Sequence, residues 1–96
     1  MKETRDAYVE RLKAKLDEWN AAIDRLGGRV REIQAERRGE YERLLGELRT
    51  KRAEAQDKLS RIGSSAEGAW QELRTGADKA WKELHEAVER FRSRFP

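Results

Sequence analysis

The stretch GAWQELRTGADKAWKEL, residues 68–84, contains the pair Ala-Trp twice, at Ala69-Trp70 and at Ala80-Trp81. Trp70 and Trp81 are separated by an interval of eleven residues. Eleven residues make about three helical turns at ~3.67 residues per turn, so both tryptophans lie on one face of a helix. Outward from this stretch, the same interval relates Leu48, Leu59, Trp70 and Trp81, and separately Tyr8, Trp19, Val30 and Tyr41. The repeat therefore indicates helix well beyond the quoted stretch.

Apolar residues elsewhere in the chain also recur at helical spacing. Steps of three and four alternate along the sequence, and no segment of useful length alternates apolar with polar residues. This period predicts an all-α chain without strands. Heptad spacing occurs locally, from Leu16 to Ile33, beside the eleven-residue spacing. We therefore expect a nearly straight coiled coil of mixed heptad and hendecad periodicity.

The composition agrees with long helices. Of the 96 residues, 43% are charged and 36% are hydrophobic, a usage typical of coiled coils. The absence of cysteine excludes a disulfide framework, a thiolate metal site and a thiol nucleophile. No run approaches the ~18 apolar residues of a membrane span, and the first residues do not resemble a signal peptide. We expect a cytoplasmic protein, and a position peripheral to the inner face of a membrane is the alternative.

Glycines and serines suggest where the helices end. Gly63-Ser64-Ser65 predicts a turn at 63–65, since glycine suits a helix C-terminus and Ser64-Ser65-Ala66-Glu67 has the form of a capping box. We expect one elongated domain, 1–96, with a first helix over about 4–62 and a second that begins at 65 or 66 and ends at 95. A straight helix of about 140 Å, without the turn, stays open. Gly27-Gly28 is interpreted as a weak spot inside the first helix, costing about 1 kcal/mol per glycine, because the stripe keeps its phase from Leu26 to Val30.

The two expected helices differ in length, which leaves part of the first one uncovered. In an antiparallel hairpin the pairing ends near Ile33, and residues 4–30 project beyond it. An apolar stripe of this kind must be buried, and another copy of the chain is the simplest partner. The predicted oligomer interface, in a dimer or a higher assembly, consists of Tyr8, Leu12, Leu16, Trp19, Ile23 and Leu26.

The face that carries the repeated tryptophans has two interpretations. It is either the core of the hairpin or a lipid-binding face, and its residues are Leu59, Trp70, Leu73, Trp81, Leu84, Val88 and Phe91. Arg90, Arg92 and Arg94 near its end would suit an anionic membrane surface. Six acidic residues between 67 and 89 offset these charges, which favours the core. The leading hypothesis is a non-enzymatic, self-assembling coiled-coil protein, and the alternative is a peripheral lipid-binding protein.

No residue pattern points to catalysis, a cofactor or a metal. His85 and Glu89 are four residues apart, but a solvated histidine is the better interpretation of an isolated pair on one helix. No serine has a plausible base partner, and no glycine-rich phosphate loop follows a strand. The net charge of +3 is spread along the chain rather than gathered in a basic block, which disfavours nucleic acid.

Three segments together resemble a known family. They are AYVERLKAKLDEWNAAIDRL (7–26), YERLLGELRTKRAEAQDKL (41–59) and GSSAEGAWQELRTGADKAWKELHEAVERF (63–91). The chain resembles small bacterial coiled-coil proteins associated with stress responses, over roughly residues 4–95. This resemblance implies a helical, non-enzymatic protein and supplies no catalytic residues. The chain is also loosely similar to the eleven-residue amphipathic repeats of exchangeable apolipoproteins, which supports the lipid alternative.

Overall fold

The computed structural model describes residues 3–96 and contains three long helices. These are α1 (Arg5–Gly28), α2 (Ala35–Gly63) and α3 (Trp70–Arg94), with one 3-10 turn at Val30–Glu32 between α1 and α2. No strand occurs within the described range. The all-α expectation is therefore confirmed.

The first helix begins and ends as its sequence allows. Thr4 caps it, since the Thr4 hydroxyl accepts a hydrogen bond of 3.1 Å from the backbone N–H of Ala7. Such a cap satisfies one of the N–H groups that have no partner within the helix. At the other end, Gly27 and Gly28 complete α1, and the N–H of Arg29 donates to the carbonyl of Leu26.

The expected continuous helix over 4–62 is wrong, because the chain leaves helical geometry after Gly28. Arg29 has φ −97° and ψ 0°, and Ile33 and Gln34 are extended, with ψ of 137° and 141°. Two adjacent glycines weaken the helix here by about 1 kcal/mol each. Ending the helix here therefore costs little. The break also lets α1 fold back and bury its apolar stripe against the rest of the chain.

The turn after α2 is longer than the expected 63–65. Ser64 and Ser65 do not form the predicted capping box, since their hydroxyls donate to carbonyls of α2 instead. Ser65 Oγ donates to Ile62 O at 2.7 Å and Ser64 Oγ donates to Ser60 O at 3.2 Å. The serines thus satisfy the C-terminal end of α2, and α3 begins only at Trp70.

The three helices pack with α2 in the middle. Both α1 and α3 approach α2 closely along their lengths, whereas their own backbones approach each other much less. Ion pairs join α2 to α3 in opposite chain order: Lys51 with Glu83 at 3.1 Å, and Glu47 with Arg90 at 3.7 Å. The bundle measures 51 × 22 × 18 Å.

The apolar stripe of α1 is buried inside a single chain. Tyr8, Leu12, Leu16 and Ile23 are each at most 5% exposed, and Trp19 and Leu26 are half-buried against the same core. The expectation that this stripe is uncovered in one chain is therefore wrong, because α1 itself lies on α2 and α3. Association between copies stays a prediction.

The tryptophan face of α3 also lies mainly in the core. Its buried members are Trp70, Leu84, Val88 and Phe91, together with Leu59 of α2. Trp81 is half-buried and packs against this core. Leu73 differs from the expectation, because it is 38% exposed and is the most exposed large apolar side chain among residues 3–96.

Candidate functional site

At the N-terminal end of α1, side chains fasten α1 to α3. The Tyr8 hydroxyl donates a hydrogen bond of 2.6 Å to Asp78 Oδ1, and the Tyr8 ring lies 5.6 Å from the Trp70 ring. The Arg74 guanidinium lies 4.8 Å from the centre of the Tyr8 ring. Burial, and then the bond to Asp78, raise the pKa of Tyr8 well above its ordinary value. At this end of the bundle, the side chains of α1 and α3 are therefore in direct contact.

Charged residues before and within α1 form further hydrogen bonds at the same end of the bundle. Glu3 accepts from Arg11 at 2.9 Å and from Arg74 at 3.4 Å. The hydrogen bond from Arg11 lowers the pKa of Glu3 below its ordinary value. Arg5 Nη1 donates to the carbonyl of Ser65 at 2.6 Å, which ties α1 to the turn between α2 and α3.

The C-terminal end of α1 is held by an aromatic cluster on α2 and α3. The buried Tyr41 hydroxyl donates to the carbonyl of Leu26 at 2.6 Å. The Tyr41 ring meets Phe91 and Phe95 edge-on, with both pairs of ring centres 5.0 Å apart. Arg37 covers the Phe95 ring at 4.2 Å. Tyr41 thus supplies a hydrogen bond to a carbonyl that the end of α1 leaves without a full set of helical partners.

An apolar groove of about 900 Å³ opens between the C-terminal halves of α1 and α3. We call it the α1–α3 groove. Side chains from all three helices and from the residues after α3 meet there, and the apolar ones are Trp19, Ala22, Ile23, Leu26, Leu48, Val88, Phe91, Phe95 and Pro96. Ile23, Leu48, Val88 and Phe91 are each at most 5% exposed and lie deepest. The groove follows from the packing, because α1 and α3 both contact α2 but do not close on each other at this end.

Arginines line the edge of the α1–α3 groove. They are Arg25 and Arg29 near the end of α1 and Arg92 near the end of α3. Arg29 lies 3.6 Å from Glu32, and Arg92 lies 3.9 Å from Glu89 and 5.9 Å from the Trp19 ring centre. Arg25 has no ion pair with any residue of the range 3–96. The groove therefore combines an apolar floor with a basic edge.

The groove brings together residues that the sequence assigned to two separate surfaces. Trp19, Ile23 and Leu26 come from the predicted oligomer interface, and Val88 and Phe91 come from the predicted hairpin core or lipid face. The other predicted residues lie elsewhere, mostly in the core: Tyr8, Leu12, Leu16, Leu59, Trp70, Leu73, Trp81 and Leu84.

The sequence did not assign Ala22, Arg25 or Arg29 to a site, and it connected Arg92 only with the membrane alternative. Ala22 had a usable signal, because Trp19, Ala22 and Ile23 follow the i, i+3, i+4 spacing of one helix face. Arg25 and Arg29 had no such signal, because their position beside an apolar groove depends on how α1 folds back.

The single histidine has an exposed setting. His85 Nε2 lies 4.0 Å from Glu89 Oε1, and the two side chains are 63% and 57% exposed. Among residues 3–96, no group of three or more histidine, aspartate or glutamate side chains is placed to hold a metal ion.

Comparison of the chain with family models, curated proteins and solved structures finds no match. The resemblance to bacterial stress-response coiled-coil proteins therefore stays a prediction. None of the helices within residues 3–96 has the length and apolar character needed to cross a membrane.

Proposed function

We propose that this protein is non-enzymatic and self-assembles through helix–helix contacts, by exchange of α1 between two copies. In the exchanged form, the segment 29–34 becomes helical and joins α1 to α2. Each α1 then packs on α2 and α3 of the other copy. The observation that supports this proposal most directly is the backbone conformation of residues 29–34, which connect α1 to α2.

That connection needs little change to become helical. Residues 30–32 already form a 3-10 turn, so the extended Ile33 and Gln34 are the main departures from helix. The segment contains no proline, and no residue in the described range has a positive φ. The apolar stripe also keeps its helical phase from Leu26 through Val30 to Ile33. The same sequence thus supports both a folded-back and a straight arrangement.

The contacts that hold α1 in one chain are equally available to α1 of a second chain. Three contacts join α1, or Glu3 two residues before it, to the α2–α3 part: Tyr8 to Asp78, Arg5 to Ser65 and Glu3 to Arg74. Exchange of an identical element between copies makes no new contact type, so it is a low-cost route to a dimer.

The remaining features of the proposal concern α2 and α3 and the cellular setting. The opposite order of the ion pairs between α2 and α3 supports an antiparallel hairpin, and the eleven-residue spacing supports mixed heptad and hendecad packing. A structural or stress-related role in a bacterial cytoplasm rests on the resemblance described above.

The substitution Ala35→Pro tests the exchange. Ala35 is the first residue of α2, where the backbone N–H has no partner within the helix and proline is well tolerated. Proline there also favours the extended conformation that Gln34 already has. In a continuous helix it would cost about 3 kcal/mol. We expect a wild-type mass that rises from the 11.2 kDa monomer toward a dimer with concentration, and an Ala35→Pro mass that stays monomeric at unchanged helicity.

Ala35→Gly is the matched control, because it alters the same position without blocking a straight helix. It should still dimerise, but more weakly than the wild type, because glycine costs about 1 kcal/mol in a helix against about 3 kcal/mol for proline. Sedimentation equilibrium measures all three chains. A wild type that is monomeric at every concentration, or an Ala35→Pro chain that dimerises as strongly as the wild type, contradicts the proposal.

The alternative, a lipid-binding face on Trp70 and Trp81, has less support. Trp70 is 4% exposed and packs on Tyr8, and Leu84, Val88 and Phe91 are buried beside it. Lipid contact through this face would require α3 to leave the bundle.

A further inference from the structure

We infer that the α1–α3 groove binds one molecule of a single-chain amphiphile with an anionic head, such as a long-chain carboxylate. The inference goes beyond self-assembly and does not depend on it. The apolar chain would lie along the floor of the groove, and the carboxylate would meet the arginines at its edge.

The size and lining of the groove suit a small apolar ligand. Its volume of about 900 Å³ lies within the ~300–1,000 Å³ usual for small-molecule sites. Ile23 and Phe91 are buried beneath the groove, with 1% and 3% of their surfaces exposed, so the apolar surface open to a ligand comes from the half-buried side chains above them. Trp19 and Leu26 are half-buried and remain able to gain contacts from a ligand. Covering them with an alkyl chain would remove further apolar surface from water.

The arginines at the groove favour an anionic head group on the ligand. Arg25, Arg29 and Arg92 all belong to the lining, and no aspartate or glutamate side chain does. The nearest acidic partners are Glu32, at 3.6 Å from Arg29, and Glu89, at 3.9 Å from Arg92. Both ion pairs are more than half exposed and are therefore weak. A carboxylate can accept two parallel hydrogen bonds from one guanidinium, so it would compete well with these partners.

The concave shape favours a free amphiphile over a membrane surface. The half-buried Trp19, Leu26 and Phe95 line a recess between two helices, where one alkyl chain can cover them and a flat bilayer cannot. The occupant to which the geometry points is therefore a monomeric ligand.

The test is calorimetric titration of the full chain with a sixteen-carbon carboxylate, held below its micelle concentration. An alkylammonium of the same length is the charge control. We expect saturable binding of one carboxylate per chain and binding of the ammonium weaker by roughly tenfold. Tryptophan emission should shift to the blue on binding, and Trp19→Phe should remove that shift.

Neighbouring alanines provide the matched variants. Ala22 lines the groove, whereas Ala21 is exposed beside it on α1. Ala22→Phe should fill the groove and weaken carboxylate binding by tenfold or more, and Ala21→Phe should leave it unchanged. Circular dichroism verifies that both variants keep the wild-type helicity.

The inference is overturned by several outcomes. They are no saturable binding, equal binding of the ammonium, equal loss in both alanine variants, or binding only to anionic phosphatidylglycerol vesicles. The monomeric Ala35→Pro chain should bind like the wild type, so failure of this inference is distinguishable from failure of self-assembly.

Discussion

Tyr8 shows how one side chain determines where α1 lies. It is completely buried, it touches Trp70 of α3, and its hydroxyl donates to Asp78. The apolar spacing of the sequence placed Tyr8 on the face of its helix that the structure buries. It did not identify Asp78 as its partner, because the two residues meet only after the chain reverses direction twice.

Tyr8→Phe should lower the free energy of unfolding by about 1–2 kcal/mol at neutral pH, since it removes a hydrogen bond to a carboxylate. The pH dependence has a definite sign. The folded chain raises the pKa of Tyr8, so it holds the phenol proton more tightly than the unfolded chain does. This stabilisation is complete below about pH 10, the ordinary tyrosine pKa, and is lost as the pH rises further.

Urea unfolding of both chains at pH 7 and above pH 10 measures this effect. The free energy of unfolding of the wild type should exceed that of Tyr8→Phe at pH 7, and this difference should shrink as the pH rises above 10. A constant difference between the two chains across this range would show that the hydroxyl proton is not held by the fold.

The helices were largely predictable, and their connections were not. Apolar spacing identified helical structure along nearly the whole chain, because that period is a local property. It did not locate the break at 29–34, because Leu26, Val30 and Ile33 stay in phase whether or not the helix continues. It also assigned Ser64 and Ser65 to the wrong helix, because a serine hydroxyl can satisfy either the end of one helix or the start of the next.

Gly28→Ala and Gly27→Ala form a matched pair for the end of α1. A Cβ at Gly28 has no neighbour within 4 Å, so Gly28→Ala should raise the free energy of unfolding by about 0.4–1 kcal/mol through lower chain entropy. A Cβ at Gly27 would lie 2.7 Å from Arg49 Nη2, so the Arg49 side chain must move and the gain should be smaller. Urea unfolding measures both, and a larger gain at Gly27 than at Gly28 would contradict the described packing.

The bundle as a whole explains why the sequence predicted an uncovered stripe. Apolar spacing shows that Leu12, Leu16 and Ile23 must be buried, but it does not show whether the covering surface belongs to the same chain. Contacts within one chain and contacts between exchanged chains bury the same area, so local pattern cannot separate them. The α1–α3 groove was unpredictable for the same reason, since it exists only once α1 lies beside α3.

The most direct test of α1 exchange measures the distance between α1 and α2 within one chain. Glu10→Cys and Ser60→Cys place two dyes on exposed positions of a chain that has no other cysteine. In the folded-back chain both positions lie toward the same end of the bundle, where Arg5 contacts Ser65. In a straight helix the fifty residues between them span about 75 Å. We expect efficient energy transfer in dilute labelled protein and a clear fall in transfer after equilibration with excess unlabelled chain. Transfer that stays high at every concentration of unlabelled chain would contradict the exchange.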